Sequence, residues 1–273
     1  MNSENARAKT TRHYSLRQTR AWMLALFTQV ALLGTLACPA PDAPRAPVET
    51  ENAKNAKSAQ VAVGKQTPAD PAGRAAIVFL GTSLTAGYGL PESEAYPALI
   101  ETRLASAGLD YRVVNAGVSG DTSAGGLRRL DWLLRLPIAV LVLELGANDM
   151  LRGQDVNALE SNLGEILERT RSAHPNVRFL VEGMRAAPNL GREYGEAFDA
   201  VYPRIAERFD AAFVPFFLED VVARPDLNQA DGIHPTAEGH ALIAERVWKV
   251  LEPLLREEQE LQELQGGRAA ALR

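Results

Sequence analysis

Four short segments of this 273-residue chain join glycine to residues able to carry out acyl chemistry. They read Gly81-Thr82-Ser83-Leu84, Asn115-Ala116-Gly117-Val118-Ser119-Gly120-Asp121, Gly146-Ala147-Asn148-Asp149 and Asp231-Gly232-Ile233-His234. Ser83 is open to two roles, nucleophile or helix cap. A nucleophilic serine needs a base, and the chain has four histidines. His13 lies in a basic N-terminal segment. His174 precedes Pro175 in a loop between a helix and a strand, at the wrong end of the expected sheet. His240 falls inside the last helical pattern, which suits packing or surface. His234 precedes Pro235, which disfavours helix and places it in a loop. His234 is therefore the best base available. Asp231, three residues earlier, can hold the imidazole in one tautomer and stabilise the imidazolium; Asp-Gly is equally plain turn sequence. Asp231, His234 and His240 are also a possible metal set, although no further ligand cluster accompanies them. Ester cleavage by serine needs donors for the oxyanion. Gly117 can bring a backbone N–H close, and Asn148 can add a side-chain amide. Each is also an ordinary turn residue.

These segments follow runs that read as strands. Ala75–Leu80, Arg112–Asn115, Ile138–Glu144, Val177–Glu182 and Ala212–Val214 are short and apolar, most of them β-branched. Such runs suit strands covered on both faces. Between them lie helical patterns: Val156, Leu159, Leu163, Ile166, Leu167 and Thr170, and later Ile243, Val247, Val250 and Leu254. Pro97 suits the first turn of a helix over 97–107. Alternating strands and helices predict a doubly wound α/β domain over 74–255. Its five-stranded parallel sheet should bind ligands beyond the carboxyl ends of the strands. All four glycine-bearing segments can meet in that crevice.

Together the four segments resemble the Ser-Gly-Asn-His hydrolases, also called GDSL hydrolases, over residues 75–255. The resemblance implies a flavodoxin-like three-layer sandwich. It implies Ser83 as nucleophile, His234 as base and Asp231 as orienting group, with an oxyanion hole from Ser83 N–H, Gly117 N–H and Asn148. The usual first block has Asp where this chain has Thr82. That position normally supports the serine turn, so the resemblance leaves this support open. Gly-x-Ser-x-Gly, the mark of α/β-hydrolases, is absent, since Thr85 follows Leu84. Thr85 to Leu90, Asn115 to Thr122, and Gly183-Met184-Arg185 with Pro188-Asn189 resemble a multifunctional bacterial branch of arylesterases, acyl-CoA thioesterases and lysophospholipases. Met184–Tyr194 looks like that branch's mobile substrate loop. The resemblance implies a serine esterase acting on small-molecule esters or thioesters of acyl chains, with no metal or organic cofactor. A carbohydrate O-acetylesterase of the cell envelope and a catalytically silent envelope binding module on the same fold are the alternatives.

Composition limits the partners. The formal charge is −5, and 46% of residues are apolar. Residues 74–255 hold 17 Arg/Lys against 25 Asp/Glu. An acidic domain argues against nucleic-acid binding and against charge-driven attachment to anionic lipid. Residues 1–20 are instead basic, and an apolar run from Ala21 to Ala37 follows, the pattern of an export signal. The run ends in Leu36-Ala37-Cys38, and Cys38 is the single cysteine. This resembles a bacterial lipobox, with Thr35 where Leu is usual. It implies a lipid attached at Cys38 and a membrane-anchored envelope protein facing the periplasm. An ordinary signal peptide or uncleaved anchor with an incidental cysteine is the alternative. Residues 39–73 hold six Pro and nine Ala and no aromatic, so they are expected to form a flexible spacer. Residues 256–273 are expected to be a fraying helix end and a charged tail.

Overall fold

The computed structural model describes residues 73–271. The export segment, Cys38 and the spacer, apart from Gly73, lie outside the described residues.

Five strands form one parallel sheet: β1 (Ala76–Gly81), β2 (Arg112–Gly117), β3 (Ile138–Leu143), β4 (Arg178–Glu182) and β5 (Ala212–Val214). All five expected strands are present, with ends shifted by two residues at most. Their order is β2-β1-β3-β4-β5. The chain reverses its direction of travel across the sheet between β1 and β3, and a crevice opens there at the carboxyl ends. Nine α-helices accompany the strands among the described residues: α1 (Ser83–Ala86), α2 (Tyr96–Ala107), α3 (Ser123–Arg128), α4 (Leu130–Leu133), α5 (Ala147–Leu151), α6 (Val156–Ala173), α7 (Arg192–Asp199), α8 (Val201–Arg208) and α9 (Ala237–Ala271).

Helices cover both faces of the sheet. On one face α2 packs against β2 and α9, and α9 packs against β5; on the other α6 packs against α3 and α8, and α8 against β4 and β5. This is why β1 and β3 read as nearly continuous apolar runs: Ile77, Val78, Phe79, Val140, Leu141 and Val142 have no exposed surface. In α6, Asp155 caps the first turn by accepting the Asn157 N–H, and Leu159, Leu163, Ile166 and Leu167 are buried at helical spacing. Burying each of these side chains stabilises the fold by roughly 1.5–3 kcal/mol. Helix α9 departs from expectation, because it runs on to Ala271 with Pro253 inside it. Residues 256–271 are thus helical. They are rich in Leu, Glu, Gln, Arg and Ala, all strong helix formers.

The sheet brings the glycine-bearing segments together by register. Gly81 pairs with Gly117, and the next residue on the β1 side leads into Ser83. A Cβ on Gly117 would lie 2.3 Å from the Ala86 nitrogen, so only glycine lets β2 approach the backbone of α1 this closely. Among the described residues no helix is long and apolar enough to cross a membrane.

Candidate active site

Ser83 opens α1, directly after β1. Thr82 caps this short helix, its hydroxyl accepting the Leu84 N–H. Ser83 Oγ lies 2.9 Å from His234 Nε2, although 151 residues separate the two in sequence. His234 Nδ1 lies 2.7 Å from Asp231 Oδ2. The other carboxylate oxygen of Asp231 accepts the backbone N–H groups of His234 and Ile233. These bonds, chiefly that of the His234 side chain, hold the Asp231 carboxyl down to about 2. Asp231 is therefore an anion at neutral pH and accepts Nδ1–H, which leaves the Nε2 lone pair facing the Ser83 hydroxyl. The loop itself is anchored: Gln229 N–H donates to His234 O, and Gln229 Nε2 donates to Tyr88 O and Pro235 O. The Tyr88 ring sits 4.5 Å from the imidazole, centre to centre.

The other two histidines among the described residues, His174 and His240, lie elsewhere. His174 contacts Leu134 O in the turn before β3, at the amino end of the sheet. His240 is buried in α9, where Nδ1 accepts the Tyr96 N–H. Burial, with the nearby His234, lowers its imidazole to about 4. It thus serves packing. No group of three His, Cys, Asp or Glu that could hold a metal occurs among the described residues.

Asn148 stands in α5, just beyond β3. Its Nδ2 donates to Asp121 O at 2.9 Å, which orients the amide and leaves a second amide hydrogen for a ligand. The neighbouring Asp149 is buried and accepts both the N–H and the hydroxyl of Ser123, fixing this turn against α3. Arg129 ties the Asp121 carboxylate to Gly81 O, so the loop after β2 is braced on the end of β1.

Gly117 has a different place from the one expected. Its N–H donates to Asn115 Oδ1 at 3.0 Å, so it is satisfied within its own strand and not open to an oxyanion. The glycine answers to close packing on α1 instead. Three residues on, Gly120 has φ +82 and adjoins Asp121, the residue that orients Asn148. No acceptor among the described residues takes the N–H of Gly120 or that of Ser83, and Arg152 holds the Gly120 carbonyl. The two glycines, one ending β2 and one in the loop after it, are indistinguishable in sequence. What separates them is where the Asn115 side chain turns.

The support of the serine turn, left open by Thr82, comes from Glu144. This residue follows β3 and is buried. Glu144 Oε2 accepts the N–H of Thr82 at 2.8 Å, that of Thr85 at 3.2 Å and the Thr85 hydroxyl at 2.7 Å. The Thr82 hydroxyl also donates to Glu144. Burial raises this carboxyl to about 7, against the lowering effect of those hydrogen bonds. Sequence reading missed Glu144 because it resembles the polar end of a strand.

A cavity of about 410 Å³ adjoins the site. Leu84, Met150, Met184, Phe216, Val221 and Ile233 are among its mainly apolar lining residues. Leu84 and Ile233 are the chain neighbours of Ser83 and His234. The segment Met184 to Pro188 forms part of the wall, with Arg185 placed over the Phe216 ring.

The GDSL-like lipase/acylhydrolase family model matches residues 79–242. Esterase TesA of Pseudomonas aeruginosa is 45% identical over 180 residues, covering 66% of this chain and 89% of that protein. Thioesterase 1/protease 1/lysophospholipase L1 of Escherichia coli is 44% identical over 181 residues, covering 66% of this chain and 84% of the relative. A crystal structure of TesA superposes with a TM-score of 0.63 at 44% identity, over 66% of this chain and 99% of that one.

Proposed function

Since the chain belongs to the GDSL-like lipase/acylhydrolase family, we propose that it is a serine esterase cleaving carboxylic esters or thioesters of acyl chains through an acyl-enzyme. The observation that carries this reading is the Asp231–His234–Ser83 relay, with contacts of 2.7 and 2.9 Å, opening beside an apolar cavity. His234 removes the Ser83 proton as Oγ attacks the acyl carbonyl. The oxyanion is held by Ser83 N–H, Gly120 N–H and the second amide hydrogen of Asn148. His234 then protonates the departing alkoxide or thiolate. Water, deprotonated by His234, releases the acid.

Asn148→Ala is expected to lower kcat by roughly 10²–10³-fold with a smaller change in KM, as for loss of one oxyanion donor. Steady-state kinetics check this, and an unchanged kcat would reduce Asn148 to a turn residue.

The cavity favours acyl chains over the acetyl group of a carbohydrate O-acetylesterase. An acetyl group would leave most of an apolar space of about 410 Å³ unused. A panel of aryl esters and acyl-CoA thioesters of increasing chain length, with acetylated sugars beside them, tests the reading. A kcat/KM that rises from acetyl to medium chains supports it. Preference for acetyl sugars would favour the envelope O-acetylesterase, and inactivity on all would favour a binding module.

The lone Cys38 after an apolar run supports a further element of the proposal, a lipid anchor that holds the enzyme at the envelope membrane on the periplasmic side. Several acyl chains on one cysteine anchor stably, whereas one binds marginally. Mass spectrometry of the mature N-terminus tests this; an unmodified Cys38 would mean no anchor at that residue.

A further inference from the structure

Beneath the Ser83 turn, four oxygens form a buried line. Glu144 Oε2 lies 2.7 Å from Thr85 Oγ1, Thr85 Oγ1 lies 3.0 Å from Tyr96 Oη, and Tyr96 Oη lies 2.9 Å from Glu182 Oε2. Glu144, Thr85, Tyr96 and Glu182 are all buried, with relative exposures of 1% or less. Each of the three contacts needs one hydrogen. The two hydroxyls, Thr85 and Tyr96, supply only two. The third must belong to a carboxyl at one end of the line. Glu144 Oε2 is not the carrier, because it already faces the N–H groups of Thr82 and Thr85. Glu182 Oε2 faces only Tyr96, and Glu182 Oε1 has no hydrogen-bond partner among the described residues. An unpartnered oxygen is tolerable on a neutral acid and very costly on a buried carboxylate.

We propose that Glu182 is a neutral carboxylic acid in the folded protein at neutral pH, and that its proton directs the chain Glu182→Tyr96→Thr85→Glu144 under the nucleophile turn. Each hydroxyl then donates towards Glu144, whose Oε2 remains the acceptor for the Thr82 and Thr85 N–H groups. Glu144 is a positioning residue, acting on Ser83 through the backbone on either side of it.

The titratable groups facing Glu182 agree with this state. Glu144, past β3, is like-charged when ionised, and burial together with Glu144 pushes the Glu182 carboxyl well up. Tyr96, on α2, is pushed well above its ordinary range by burial, then by Glu182 and Glu144, and stays a neutral phenol. His240, on α9, stacks beside Tyr96 and is neutral for the reason given above. Among the described residues no ion pair brings a cation to Glu182.

Glu182→Gln tests the protonation state without reference to catalysis. Glutamine carries no charge and can donate an amide hydrogen to Tyr96. Unfolded glutamate ionises near pH ~4.3, whereas folded Glu182 keeps its proton. The stability of this group is thus complete below the unfolded value and is lost as pH rises towards the folded one. The unfolding constant of the wild type, divided by that of Glu182→Gln, is expected to rise about tenfold per pH unit above pH ~4.3, until the folded value is reached. A flat or falling ratio overturns the proposal. Infrared spectra of the wild type at mildly alkaline pH provide a readout that stands even if the variant fails to fold. A protonated-carboxyl stretch is expected there, where exposed carboxyls are ionised, and its absence overturns the proposal. The positioning role alone rests on the hydrolase reading. Glu144→Gln should lower kcat on the order of 10–10²-fold with KM little changed, as for a displaced nucleophile. Unchanged kcat would remove that role. The infrared and stability results would still decide the state of Glu182.

Discussion

Replacing Ser83 with alanine is expected to lower kcat for ester hydrolysis by roughly 10⁴–10⁶-fold, with thermal stability nearly unchanged. Ser83 Oγ is the only hydroxyl in contact with His234 Nε2 among the described residues. Loss of Oγ removes the acyl acceptor but leaves the oxyanion donors and the apolar cavity. Substrate should still bind, so KM should change far less than kcat. The cap of α1 belongs to Thr82, and Glu144 holds the backbone around it, so the turn does not depend on the serine side chain. Stopped-flow and long-time-base assays on one aryl ester give both constants. A variant retaining a tenth of wild-type kcat would move the nucleophile elsewhere.

His234→Ala is expected to cost about as much as Ser83→Ala, and the double variant little more than either. The reason is that the two side chains act as one unit: without Nε2 nothing takes the Ser83 proton, and without Oγ the base has no nucleophile to deprotonate. The contrast is His240. It is buried, neutral and bonded to the Tyr96 backbone, with no contact to Ser83. A His240 variant that folds should therefore keep most of its kcat, and its cost should appear in the melting temperature. Comparing kcat and Tm for the two variants separates the roles. Greater loss of kcat at His240 would contradict the assignment of the base.

The parts of this arrangement that were legible in the sequence share a cause. Strands β1 and β3 are covered on both faces, so they read as unbroken apolar runs, β1 ending in Gly81 and β3 in Leu143. The segments carrying Ser83, Asn148 and His234 follow those ends or precede the last helix, where polar residues have few structural reasons to cluster. Helices α3 and α4 were not legible. Helix α3 contains Gly125 and Gly126, both poor helix formers, and is held by contacts from elsewhere: Asp149 grips Ser123, and α6 packs alongside. The buried carboxyls escaped notice for a similar reason. Glu144 and Glu182 stand at or just past strand ends, where an acidic residue normally points to water. Only their enclosure by Thr82, Thr85 and Tyr96 gives them a role. The choice between Gly117 and Gly120 likewise depended on one hydrogen bond, from Gly117 N–H to Asn115 Oδ1.

Peptide mapping of the wild-type chain after treatment with a fluorophosphonate tests the role of Ser83 most directly. The reagent phosphonylates a serine whose proton a neighbouring base removes, and the tetrahedral adduct occupies the oxyanion donors. One phosphonyl group on Ser83, with ester hydrolysis lost in step with its formation, is the predicted result. An adduct on another residue, or an unmodified Ser83 in a chain that has lost its activity, would contradict it.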